Sequence, residues 1–183
     1  MMQLEAPYLS GLLLFKPDVF YDERGYFFES YHQERCKAIG LEASFVQENQ
    51  SLSKKGTVRG LHYQLAPYGQ SKLVRVVEGV IWDVAVDLRK NMDTFGKWQG
   101  FVLSSENNHQ LFVPVGFAHG FMALSNKAIV AYKCDGYYCP NAEKGIYFKD
   151  PTLNIPWEDY GKPEIISAKD AALPLFQEAI YTF

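Results

Sequence analysis

Turn-forming residues interrupt this chain at short intervals, and that spacing restricts its fold more than any other feature. Asp22-Glu-Arg-Gly25, Lys54-Lys-Gly56, Pro67-Tyr-Gly69, Glu78-Gly79, Glu106-Asn-Asn108, Pro114-Val-Gly116 and Pro140-Asn141 punctuate short runs rich in Val, Ile, Phe, Tyr and Trp. β-Branched and aromatic side chains suit a pleated, half-buried surface, and Gly, Pro and Asn supply the turns between such surfaces. The rhythm predicts an antiparallel sandwich or barrel rather than alternating β and α units. Residues 80–88 alternate most clearly: Trp82, Val84, Val86 and Leu88 share one face, and Asp83, Ala85 and Asp87 share the other. Residues 72–77 and 128–134 read as further strands.

Helix is expected in two places. One spans residues 33–39 and is closed by Gly40. The other starts at Ser167-Ala-Lys-Asp170, a capping residue followed three later by an acid, and Pro174 soon limits it. No repeat, low-complexity tract or linker divides the chain, so one domain over residues 1–183 is expected.

Composition narrows the function classes. A hydrophobic share of 48% and a charged share of 21% are those of a soluble globular protein. A net charge of −3 argues against a general nucleic-acid binder, which needs a broad basic face. It does not exclude a small phosphate-bearing ligand, because a few arginines focused in a cleft suffice. Cys36, Cys134 and Cys139 are an odd count without a leader-like start at residues 1–10, which points to reduced thiols and a cytoplasmic location. No apolar stretch is long enough to span a bilayer.

The chemistry-bearing residues gather around Arg59-Gly-Leu-His62-Tyr-Gln64. His62 and Gln64 are two apart and face the same way on a strand. A metal-binding barrel often carries His-x-His here, but Gln64 occupies the second position, and an amide oxygen is a poor ligand for a transition metal. His119 follows in Pro114-Val-Gly-Phe-Ala-His119-Gly, whereas His32 and His109 lack ligand-like spacing. A metal site is therefore disfavoured and proton transfer preferred, with His62 as general base. Asp170 and Asp83 are both candidates to orient it. Lys72 suits an enolate oxygen, and Tyr132 or Tyr138 suits proton return. Arg24 and Arg59, each beside a glycine, match phosphate oxygens. Strict alternation would send Arg59 and His62 to opposite faces, unless Gly60 marks a bulge. Glu29, Gln47, Asn49 and Glu143 are weaker polar candidates.

Asp22-Glu-Arg24-Gly-Tyr-Phe-Phe-Glu29, Gln47-Glu48-Asn49-Gln-Ser51, Arg59-Gly-Leu-His62-Tyr-Gln64, Val84-Ala-Val-Asp87-Leu-Arg89, Pro114-Val-Gly-Phe-Ala-His119-Gly-Phe and Ser167-Ala-Lys-Asp170 together resemble the dTDP-4-dehydrorhamnose 3,5-epimerase family. The resemblance covers nearly the whole chain, in order. It implies a cupin-type jelly-roll barrel with a few short helices. It also implies a homodimer that works without metal or organic cofactor and binds neither nucleic acid nor membrane. The implied reaction is epimerisation of dTDP-4-dehydro-6-deoxy-D-glucose at C3 and C5, a step of dTDP-L-rhamnose synthesis. By the family pattern His62 resembles the proton acceptor, Tyr132 the donor, Lys72 the group beside the C4 oxygen, and Asp170 the partner of His62. Arg24, Glu29, Gln47, Glu48, Asn49, Arg59, Lys72, His119, Glu143 and Lys169 resemble nucleotide-sugar contacts, and Tyr138 the ring stacked on thymine. Thr57 and Cys139 depart slightly from the pattern. Alternatives are a single-centre epimerase of another dTDP-deoxysugar, a metal-dependent cupin enzyme, or a sugar-nucleotide binder without catalysis.

Overall fold

The computed structural model describes residues 3–41 and 43–183. The expectation about a leader at residues 1–10 falls in part on residues 1 and 2, outside the described ones. In chain order the elements are β1 (Gln3–Glu5), β2 (Leu13–Lys16), β3 (Phe20–Asp22), β4 (Gly25–Phe27), α1 (Gln33–Ala38), β5 (Gln47–Lys54), β6 (Val58–Gln64), β7 (Lys72–Glu78), β8 (Val80–Asp87), β9 (Trp98–Ser104), β10 (Gln110–Val113), β11 (Phe117–Ala123), β12 (Lys127–Cys134), a short 3₁₀ turn at Pro140–Ala142, β13 (Glu143–Gly145), α2 (Trp157–Tyr160) and α3 (Ala168–Ala171). A six-stranded sheet in the order β1-β2-β10-β7-β12-β5 faces a five-stranded sheet in the order β13-β6-β11-β8-β9. All named pairs are antiparallel. From β5 onward the chain crosses between the sheets at nearly every connection, the wiring of a jelly roll.

The alternation of β8 is real, but both of its faces are buried. Ile81 and Ala85 pack between the sheets with Val74, Leu111, Phe121 and Val130. Trp82, Val84, Val86 and Leu88 point outward, under a layer formed by Ile146, Phe148, Leu153, Trp157 and Phe176. Trp82 anchors that layer, with the Tyr160 ring stacked at 4.0 Å and Trp157 edge-on at 4.9 Å. Burying a side chain of this kind contributes roughly 1.5–3 kcal/mol. The face with the stronger apolar signal thus meets the C-terminal segment, and the face carrying Asp83 looks into the barrel.

Both expected helices form. In α1 the His32 ring accepts from the Arg35 amide at 3.4 Å, Gly40 follows the last turn at φ +94°, and Cys36 packs against Phe15, Leu41 and Phe112. In α3 the Ser167 hydroxyl accepts from the Asp170 amide at 3.0 Å, which fixes Asp170 at the buried side of the first turn. The helical turn of α2 was not signalled, since Pro156 and Gly161 enclose only four residues. No helix among the described residues is long and apolar enough to cross a membrane.

Candidate active site

The tension between Arg59 and His62 is resolved by an extra residue in β6. His62 lies opposite His119 and Arg59 opposite Phe121, so three steps along β6 match two along β11. That bulge returns both side chains to one cleft. Gly60 sits inside it at φ +120°, and a Cβ there would lie 2.6 Å from Gly120 Cα and 2.8 Å from the His119 carbonyl oxygen. Only glycine tolerates both the conformation and the approach.

Two His–Asp pairs stand side by side, with His62, His119 and Asp83 on the five-stranded sheet and Asp170 on α3. His62 Nε2 is 2.7 Å from Asp170 Oδ1, and the Gly60 amide donates to Asp170 Oδ2 at 3.3 Å. Burial alone would raise the Asp170 carboxyl, but His62, the Gly60 amide and Lys169 outweigh it and hold the group below its ordinary value. The ionised carboxylate accepts from Nε2–H, so the Nδ1 lone pair of His62 is left to take a proton. His119 Nε2 lies 2.9 Å from both oxygens of Asp83, which is wholly buried. Of the two aspartates left open by the sequence, Asp170 serves His62 and Asp83 serves His119.

The opposite wall comes from the six-stranded sheet. Lys72 on β7 is directly across from Cys134 on β12, and its ammonium lies 5.8 Å from the centre of the Tyr132 ring. Burial pushes the Lys72 ammonium down, while Cys134, Asp83 and Glu143 act to restore it. Burial likewise pushes the Tyr132 hydroxyl up, so it stays protonated through neutral pH. His62, Lys72, His119, Tyr132 and Glu143 are common to two adjoining lobes of the cleft. The cleft therefore has the His62 imidazole on one wall and the Tyr132 phenol plus the Lys72 amine on the other.

A polar rim surrounds this centre. Gln47 donates to Asn49 at 3.0 Å and accepts from the Tyr138 amide at 3.0 Å. Glu143 accepts from Lys169 at 2.6 Å and from the Tyr138 hydroxyl. Burial would raise Glu143, but Lys169 and Tyr138 hold it below the ordinary carboxylate value. Arg59 is braced on β5 through Ser53 Oγ at 3.0 Å and the Leu52 carbonyl at 3.1 Å. The exposed ring of Tyr138 stands at the mouth.

Three expected contacts lie elsewhere in this chain. Arg24 is paired with Asp22 on the exposed β3–β4 hairpin. Glu29 pairs with Arg35 at 2.9 Å beside α1. Glu48 points to the far side of β5 from Asn49 and pairs with Lys133 at 3.2 Å. Gln64 does line the inner lobe, yet its amide is already engaged. It donates to the Tyr68 carbonyl and accepts from the Cys139 amide, each at 2.7 Å, and so clamps two loops together. Among the described residues no group of three or more His, Cys, Asp or Glu is placed to hold a metal ion.

Ser51 in the cleft and Cys134 buried behind it went unread in the sequence. Ser51 follows Gln47 and Asn49 at a strand period of two, which would have revealed it; its buried hydroxyl has no hydrogen-bond partner. Cys134 was expected only to be a buried free thiol. It is one, and the same period places it beside Tyr132 facing Lys72.

Comparison with known proteins agrees with this geometry. The family model described as dTDP-4-dehydrorhamnose 3,5-epimerase matches residues 7–178. A dTDP-4-dehydrorhamnose 3,5-epimerase from Salmonella typhimurium is 49% identical over 175 residues, covering 95% of each chain. The crystal structure of a dTDP-6-deoxy-D-glucose-3,5-epimerase from Legionella pneumophila, in complex with dTDP-4-keto-L-rhamnose, superposes with a TM-score of 0.93 at 44% identity, covering 97% of this chain and 94% of that one. A dTDP-4-dehydrorhamnose 3-epimerase from Streptomyces niveus is 37% identical, over 97% of this chain and 86% of that protein.

Proposed function

The chain belongs to the dTDP-4-dehydrorhamnose 3,5-epimerase family, and from that premise we propose how its cleft inverts C3 and C5 of dTDP-4-dehydro-6-deoxy-D-glucose. Both carbons flank the C4 ketone, so loss of either proton yields an enolate delocalised onto one oxygen. His62 Nδ1 takes the proton, and the C–H electron pair moves into the enolate. Lys72 faces the C4 oxygen and offsets its charge. The Tyr132 hydroxyl then gives a proton to the opposite face of the same carbon, and the ketone re-forms. Solvent accepts the proton from His62 and reprotonates Tyr132. Repetition at the second carbon gives dTDP-4-dehydro-L-rhamnose, an isomer of the starting sugar, for dTDP-L-rhamnose synthesis.

The observation that carries this reading is His62 on one sheet, paired with Asp170 of α3, facing Lys72 and Tyr132 on the other sheet. Gln47, Asn49, Arg59, His119, Glu143 and Lys169 would hold the nucleotide and sugar, with thymine against Tyr138. Arg24, Glu29 and the exposed Phe20, Tyr21, Tyr26 and Phe27 favour a homodimer whose hairpins reach the partner's cleft. One domain over residues 1–183 and a cytoplasmic setting complete the reading, the latter supported by three free thiols.

Turnover of the 4-keto nucleotide sugar in deuterated water tests the reaction. One deuterium at each of C3 and C5 is expected. Label at a single carbon would leave the single-centre reading, favoured by the 3-epimerase relative. Absence of label at both would remove the enzyme reading.

A further inference from the structure

Among the described residues, the Lys72 ammonium in the barrel has no ion pair. Every other charged group near it is already engaged. The groups facing it are Tyr132 and Cys134 from β12, His119 from β11 backed by Asp83 from β8, His62 from β6 backed by Asp170 from α3, and Glu143 from β13. Val113 of β10, opposite Lys72, carries no charge. Burial raises both Tyr132 and Cys134, so neither is an anion at neutral pH. Glu143 is neutralised by Lys169, and Asp170 accepts from His62 and the Gly60 amide.

Asp83 differs from these. It is fully buried, and among the described residues its one hydrogen-bonding side chain is His119, which spans both carboxylate oxygens. The pair sets the Asp83 carboxyl group behind the His119 ring, and that ring shares the cleft with Lys72 in a low-dielectric interior. A direct ion pair would occupy the ammonium and keep it from a substrate oxygen. A carboxylate one residue removed does not.

Building on the proton-transfer reading above, we propose that Asp83, presented through His119, is a positioning residue that keeps Lys72 cationic while leaving its ammonium free for the substrate's ketone oxygen. Asp83 touches no substrate in this arrangement. It acts only through the charge of Lys72, and His119 serves both as a wall of the cleft and as the spacer.

The test is D83N, which preserves shape and can still accept from His119. Two readouts are needed on the full-length protein. The first is NMR titration of ¹³C-dimethylated Lys72, assigned by its loss in K72R. The second is the pH profile of kcat. D83N should move the Lys72 titration to lower pH, and its activity relative to the parent should fall on the order of tenfold further on the alkaline side than at neutral pH. A tenfold factor corresponds to a displacement of about one pH unit in the Lys72 titration. H119Q, which keeps the carboxylate and a donor to it, should leave the Lys72 titration in place. An unmoved titration in D83N, or an equal downward shift in H119Q, would overturn the proposal. The NMR readout needs no turnover, so failure of the epimerase reading would show separately, as an inactive parent protein.

Discussion

Replacing Asp170 with Asn should nearly abolish turnover while leaving the fold intact, and the reason lies in a backbone amide. Asp170 accepts two hydrogen bonds, from His62 Nε2–H at 2.7 Å and from the Gly60 amide at 3.3 Å. An asparagine has one oxygen and one NH₂. Turned with its NH₂ toward Gly60, it would set donor against donor at a buried site. It must therefore turn its oxygen to Gly60 and its NH₂ to His62. The imidazole then accepts at Nε2 and carries its proton on Nδ1, where the substrate proton should go. A base in the wrong tautomer elsewhere loses about 10⁴ in kcat, and a loss of at least about 10³, or roughly 4 kcal/mol of barrier, is expected in D170N. Nucleotide affinity should change little. The stability cost should stay near 1–2 kcal/mol, because both neighbours keep a partner and only the charge assistance is lost. Loss of C3 and C5 protons followed by ¹H NMR in deuterated water, with urea unfolding alongside, measures both quantities. A kcat within tenfold of the parent in folded D170N would refute the tautomer argument.

Three further outcomes follow from the same geometry. Y132F should lose about 10²–10⁴ in product formation, yet deuterium should still enter unreacted substrate through His62; no label in recovered substrate would contradict separate acid and base. Q64L removes partners from the Tyr68 carbonyl and the Cys139 amide together, so urea unfolding should show a loss of about 2–4 kcal/mol, and a change below about 0.5 kcal/mol would refute the clamp. Asp87 and Asp170 are held below their ordinary values, against burial, by Arg89 with Thr94 and by His62 with the Gly60 amide respectively. Their contribution is therefore complete above the unfolded carboxylate range and disappears as pH falls through the lower folded values. Thermal melts should accordingly fall steeply below about pH 4, and D87N should flatten that acid limb.

Much of this was legible because a strand's period is short and its signals local. The alternation of residues 80–88, the cap at Ser167 and the glycine closing α1 each need only a few neighbours. Contacts made by folding were not legible. Asp170 and Asp83 were equivalent in sequence, since nothing local tells that α3 docks behind β6, 108 residues from His62, or that the polar face of β8 looks inward. Gln64 shows the converse. Its place beside His62 put it on the pocket face and argued against a metal, but its amide is spent on two loop groups that sequence could not bring together. Arg24 and Glu29 belong to a motif shared with the family and still stand apart from the cleft of this chain, paired with Asp22 and Arg35.

The wiring of the barrel explains why so short a set of residues suffices. Strands β6 and β7 follow one another in sequence but lie in opposite sheets, and so do β11 and β12. His62 and Lys72 are thus near neighbours along the chain and opposed across the cleft, as are His119 and Tyr132. Inverting a carbon requires a proton to leave one face and another to arrive at the opposite face, so base and acid must come from opposed walls. A jelly roll meets that requirement with two consecutive strand pairs. The clamp at Gln64 and the bulge at Gly60 serve the same geometry. One holds the loop joining β6 to β7, and the other brings Arg59 and His62 to the same wall. Disturbing either should therefore change the separation of the walls, which lowers turnover, more than it changes the affinity of the rim for a nucleotide.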